Sequence, residues 1–218
     1  MGFRCTLYLF FGTLYLAAGL AAQTQPSSSK PVTRPPAPAA LESGAITNDI
    51  YANKTLGLTC KIPPAWVLRT SDMNERAAEK TNPAPGSSTE NSGAKVLLAA
   101  FSRPPEAKGE EINSSILIAA ESVSAYPDLK EAAQYFGPLT EVAKAQGFTV
   151  DEEPYEIAVG TKTLVRGDFH KDIGTRVMRQ STLAMLVRGY AVSITVIAGT
   201  EDDIEELIDG LSFMPTGK

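Results

Sequence analysis

The chain has 218 residues, of which 43% are hydrophobic and 21% charged, and it carries a formal net charge of −5. That length suits one ordinary domain with extensions, and the composition is that of a globular chain, which excludes wholesale disorder. Lys and Arg gather nowhere into a patch, so the basic footprint that phosphate binding requires is missing and nucleic acid is not an expected partner.

A short start with one positive charge leads into "CTLYLFFGTLYLAAGLAA", residues 5–22, uncharged, mostly apolar and ending in small residues. This reads as a secretory signal peptide, so residues 1–22 are expected to be removed and the mature chain to be exported, periplasmic or extracellular. Kept uncleaved, the same apolar stretch is just long enough to anchor in a bilayer, and only in that form is a membrane a partner. Removal of Cys5 leaves Cys60 alone, so no internal disulfide is expected and the domain rests on its packed core. Residues 23–44 are rich in proline and serine and read as an extended, semi-rigid spacer, or equally as a leader with no role of its own.

A single domain is expected over residues 45–218. In "TLGLTCKI" the residues Leu56, Leu58, Cys60 and Ile62 share one face, the pattern of a half-buried strand, and Pro63-Pro64 stops it because proline donates no ladder hydrogen bond. "WVLR" begins a second short strand, residues 71–80 a short helix, and residues 81–93 have the composition of a surface loop. "KVLLAAFS" is almost continuously apolar, as a strand covered on both faces would be, and "SILIAAESV" is its expected partner.

Leu129, Ala132, Ala133, Phe136, Leu139, Val142 and Ala143 then recur at helical spacing. Asp128 is the expected N-cap, Gly137-Pro138 predicts a kink, and Gly147 ends the helix. "YEIAVG", "KTLVRGDFH", "TRVMRQSTLAMLV" and "YAVSITVIAG" read as four strands with turns too short for anything but antiparallel pairing. The last helix starts at Thr200, with Asp203 in the capping-box position and Ile204, Leu207, Ile208 and Leu211 as its apolar stripe. The fold class expected is α+β, an α/β/α sandwich with a central antiparallel sheet and two main helices.

The order of these elements resembles the PsbP-like superfamily, which includes the photosystem subunit PsbP, the yeast Ran-GTPase release factor and many bacterial exported proteins. The residues that carry the likeness are Tyr51, Leu56, Gly57, Ile62, Pro64 and Trp66, together with "GYAVSITV" followed by a helix and "SFMP". The chain reads Pro63-Pro64-Ala65-Trp66 where a Pro-x-Gly-Trp turn is more usual, so a glycine is replaced by alanine. The resemblance implies an α/β/α sandwich whose members mostly bind or help assemble other proteins, and it carries over no catalytic residue.

Several side chains have the chemistry for a site. Cys60 shares a face with three aliphatic residues and is expected to be buried and inert; Trp66 is expected to plug the end of the sheet. His170, the single histidine, shares a strand face with Arg166 and Asp168, and the next strand brings Arg176 and Arg179 near. Such a face can bind an anion or a partner's carboxylate, or serve as a sheet surface laced with cross-strand ion pairs. One histidine and no cysteine cluster make no metal site, so neither a metal nor a cofactor is expected. The acids of "TEDDIEELID" fall opposite an apolar stripe and read as a solvated helix face. Asn53-Lys54-Thr55 and Asn113-Ser114-Ser115 match glycosylation sequons, a pattern short enough to arise by chance. No nucleophile elbow, zinc-binding helix motif, phosphate loop or dinucleotide fingerprint occurs. The function expected is a non-catalytic binding or assembly module of the cell envelope, with another envelope or exported protein as partner. One alternative is a hydrolase-type enzyme acting on an anionic substrate through Arg166, Asp168 and His170; a third reading is a chaperone-like groove between helix and sheet that holds a partner's apolar segment.

Overall fold

A computed structural model describes residues 40–80, 94–109, 111–126 and 128–214. The expected signal peptide, most of the expected spacer and the 81–93 loop lie outside the described residues. The strands are β1 (Ala45–Thr47), β2 (Ile50–Asn53), β3 (Leu58–Lys61), β4 (Val67–Leu68), β5 (Lys95–Phe101), β6 (Ser115–Ser122), β7 (Thr149–Val150), β8 (Tyr155–Val159), β9 (Lys162–Ile173), β10 (Arg176–Val187), β11 (Tyr190–Ala198) and β12 (Leu211–Phe213). The helices are α1 (Thr70–Lys80), α2 (Phe136–Ala145) and α3 (Glu201–Asp209).

The strands form two antiparallel sheets rather than one central sheet. The larger runs β4-β5-β6-β11-β10-β9-β7, with β8 also paired to β9, and the smaller runs β1-β2-β3-β12. The expected pairing of residues 95–102 with 115–123 holds, and both belong to the same sheet as 190–198. The strand containing Cys60 does not join them. Pro63-Pro64 ends it, and the tract after α3 folds back to pair with it instead, Leu211 opposite Cys60 and Phe213 opposite Leu58. Among the described residues three α-helices flank the sheets: α2 and α3, and α1, the short helix expected over residues 71–80.

Alternation explains which faces are dry. Tyr51, Leu58, Cys60, Leu211 and Phe213 all point inward from the small sheet. They meet Ile204, Leu207 and Ile208 of α3 and the residues Leu98, Ile118, Leu183 and Ile194 of the large sheet in one core. The opposite face of the large sheet is covered by the chain leading into α2, where Tyr135 and Phe136 pack on Val165, Ala184 and Ala191. The sandwich is therefore layered as α3 with the small sheet, then the large sheet, then α2.

Helix ends follow their caps. Thr200 accepts a hydrogen bond from the Asp203 amide at 3.1 Å and starts α3 where expected. The helix expected from Leu129 is instead a 3₁₀ turn, Ala132–Tyr135, followed by the ten-residue α2. Glu131, not Asp128, caps the turn in a reciprocal box with Gln134. Gly137-Pro138 falls in the first turn of α2, where a missing amide hydrogen breaks no helical bond, and the change from 3₁₀ to α-helix comes just before it, between Tyr135 and Phe136. At the other side of the molecule α1 seals the free edge of β5. Asn74 donates to the Val96 carbonyl at 2.8 Å and accepts from its amide at 3.0 Å, and Thr70 accepts from the Ala99 amide at 2.9 Å.

Candidate functional site

The hairpin of β9 and β10 places most of the expected residues on one face. Leu164, Arg166, Asp168 and His170 alternate inward along β9, and their partners on β10 are Leu183 opposite Arg166, Ser181 opposite Asp168 and Arg179 opposite His170. Arg176 does not join them. It sits at the hairpin end opposite Ile173, one residue out of phase, so the alternation assigns it to the other face.

This face is not an open sheet surface, because α3 lies across it. The side chains of Arg166 and Asp168 are only 12% and 19% exposed. Arg166 Nε donates to both oxygens of Asp168 at 3.0 Å, and its Nη2 reaches Glu205 of α3 at 2.7 Å. Tyr155 on β8 donates to Asp168 at 2.8 Å, and the buried Ser181 hydroxyl donates to the same carboxylate. Arg179 pairs with Glu201 of α3 at 3.1 Å, and His170 Nδ1 pairs with Asp151. The expectation that the acids of α3 are merely solvated is corrected at these two positions: Glu201 and Glu205, one turn apart, tie the helix to the hairpin.

The electrostatics follow from these contacts. Burial pushes the Tyr155 phenol up to about 12, helped by its hydrogen bond to Asp168. For Arg166 burial works against the charged form, but the bonds to Glu205 and Asp168 outweigh it and raise its pKa above the ordinary value. The guanidinium is a permanent charge whose donors are engaged on both sides. What this arrangement can do chemically is limited: Asp168 spends its oxygens on three donors, and Arg166 is held by two acids. His170 is a third exposed and keeps one ring nitrogen outside the Asp151 contact.

A groove lies elsewhere, along α2. It is a shallow, open depression of about 760 Å³ between Phe136, Gly137, Thr140, Glu141 and Lys144 on the helix side and Phe148, Thr149, Val150, Glu153 and Pro154 on the strand side. None of the five expected site residues lines it. Phe136 and Phe148 form the buried floor, and the rim is polar. It arises because α2 runs through Gly147 directly into the two-residue strand β7, leaving a cleft between helix and strand. A groove between helix and sheet is among the sequence readings, but nothing in the sequence places it here, since the two residues of β7 carry no periodicity.

Cys60 and Trp66 take structural positions. Cys60 has no exposed surface, and burial pushes its thiol up to about 12. Trp66 is half-buried against the main core. Ala65 before it adopts a left-handed φ of +66°, a conformation suited to the glycine that it replaces in the turn. Among the described residues no group of three or more His, Cys, Asp or Glu side chains is placed to hold a metal ion, and no helix is long and apolar enough to cross a membrane.

No family model matches the chain, and no curated protein matches it by sequence. Several solved structures are similar at low identity. A Bacteroides thetaiotaomicron protein shares 11% identity at a TM-score of 0.37; the alignment covers 74% of this chain and 46% of that one, so this chain spans under half of its length. LpqN of Mycobacterium tuberculosis, described as involved in cell envelope biogenesis, shares 12% identity at a TM-score of 0.36, covering 72% of this chain and 83% of LpqN. The Ran-binding protein Mog1p of Saccharomyces cerevisiae shares 12% identity at a TM-score of 0.38, covering 73% of this chain and 92% of Mog1p. With TM-scores below 0.5, these likenesses carry no argument about membership or function.

Proposed function

We propose that this chain is a non-catalytic binding or assembly module, exported behind a cleaved leader and a proline-rich spacer, that engages another protein of the cell envelope. The observation that supports this reading is the closed state of the ionic face. Arg166, Asp168, Ser181, Tyr155 and Glu205 satisfy one another beneath α3, which is how charges behave when they hold a fold together. The α2 groove, with its aromatic floor and polar rim, has the anatomy of a small protein-contact patch. The test is site-specific photo-cross-linking in cells. A cross-linker at Thr140 or Val150 should capture the same envelope protein, and one at Thr59, on the outer face of the small sheet, should capture none. Capture from Thr59 alone, or from no position, contradicts the reading.

A second reading keeps one specific observation. Asp151 orients the His170 ring and leaves its second nitrogen available for proton transfer. An enzyme using it would act on an anionic substrate held by Arg179, and its activity would vanish in His170→Ala. Equal or absent turnover in the wild type and His170→Ala would remove it.

A further inference from the structure

The floor and the rim of the α2 groove call for different things. The floor rings, Phe136 and Phe148, keep only 2% and 7% of their surface. An aliphatic side chain laid on them gains little, because that gain scales with the apolar area removed from water. The rim is charged, with Glu141 on the helix side and Glu153 on the strand side. Glu153 is exposed and makes no ion pair among the described residues. Glu141 has a cation in Lys144 at 3.4 Å, but their side chains are 75% and 53% exposed, and a pair so open to water is held loosely. Two further basic side chains at this end of the sheet are engaged elsewhere: Lys171 donates to the Gln146 carbonyl at 2.6 Å, and His170 pairs with Asp151. Two acids therefore face one base across an open depression.

The same corner shows how a cation can lie against its rings. Lys171 Nζ, held on the carbonyl that ends α2, stands 5.8 Å from the centroid of the Phe148 ring. That is within the range over which an aromatic face attracts a positive charge. A side chain with a long apolar stem and a flat, permanent charge answers both parts of the groove, its stem on the rings and its head among the carboxylates. Arginine is that side chain. The ammonium of lysine is more strongly hydrated and has no plane to stack or to share between two acids.

We infer that the α2 groove is a seat for one exposed arginine of the partner protein, its guanidinium between Glu141 and Glu153 and its stem across Phe136 and Phe148. This rests on the reading of the groove as a contact patch and adds what the partner must present. A surface this shallow holds one such anchor rather than a buried apolar segment.

Amide spectra of the full chain, titrated with the peptide acetyl-Gly-Ser-Arg-Ser-Gly-amide, test it. The amides of Thr140, Thr149 and Val150 should shift saturably at millimolar peptide, and the shifts should weaken as salt is raised. The lysine peptide should bind about threefold more weakly or worse. The leucine peptide and the citrulline peptide, which keeps the shape of arginine without its charge, should not saturate. Glu141→Gln and Glu153→Gln should each weaken the arginine peptide about threefold or more, while Glu75→Gln on α1 should leave it unchanged. Equal binding by leucine or citrulline, no saturable shift, or indifference to both rim substitutions overturns the inference. So do groove shifts that follow protein concentration without peptide, which make a second copy the occupant. If the peptide fails while a cross-linker at Thr140 still captures an envelope protein, the contact reading stands and the arginine falls; if both fail, both fall.

Discussion

The face of the large sheet beneath α3 and the face beneath α2 are built by the same long strands, yet they hold their helices by different means. Under α3 the outer part of the hairpin is polar: Arg166 and Ser181 both bind Asp168, and Arg166 and Arg179 each pair with a glutamate of the helix. Under α2 the contact is apolar, with Phe136 seated over Gly167 and Phe148 against Phe169. The charged face is closed, and the apolar face leaves the groove. Charged residues that draw the eye in a sequence can therefore be the fastening, while the open surface is written in plainer residues.

Breaking the charged face should have the largest effect. Asp168→Ala leaves a nearly buried guanidinium short of a partner and two hydroxyl donors unpaired, so it should lower stability by about 3 kcal/mol or more in urea denaturation. On the other face, Gly167→Ala forces a methyl to within 2.5 Å of the Phe136 ring. Overpacking there should cost about 1–3 kcal/mol, again read from urea midpoints, and should also disturb the groove. A third change stands outside both faces and calibrates them: Ala65→Gly relieves a left-handed alanine and should stabilise the protein by about 1 kcal/mol. At the wet end of the charged face Glu201 is 77% exposed, so Glu201→Ala should change stability by no more than about 0.5 kcal/mol, and a larger loss would mean the fastening extends to the rim.

A pH series sharpens the picture and is silent at neutrality. Cys60 titrates at about 12 in the fold against an ordinary 9.0, and Tyr155 at about 12 against 10.0. In each case the unfolded chain releases the proton first. The stability they contribute is intact below pH 9 and is lost as pH rises from there towards 12. Thermal melts should decline through that window, and Cys60→Ala should delay the onset towards pH 10.

Much of this was legible in advance, for physical reasons that differ by element. Alternation placed Cys60 in the core and lined up Arg166, Asp168 and His170, because period two survives in any buried strand. Thr200 was readable as a cap because its role is local. The second sheet was not: β1, β2 and β12 are three or four residues long, and β12 reaches β3 from 153 positions away, as the Thr59–Ser212 contact shows. Gly137-Pro138 suggested a kink, but the missing amide of Pro138 is tolerated in a first turn, and what the chain shows is a change from 3₁₀ to α-helix just upstream. Glu201 and Glu205 looked solvated because their partners lie on another element.

The account turns on whether Arg166 and Asp168 hold the fold, and a double-mutant cycle in urea measures that directly. Arg166→Met and Asp168→Leu should each destabilise by about 3 kcal/mol, and the double variant by clearly less than their sum, because each single change strands a buried charge that the double removes. Groups kept for chemistry are commonly held at a cost to stability, so single variants that are neutral or stabilising, with no coupling between them, would contradict it.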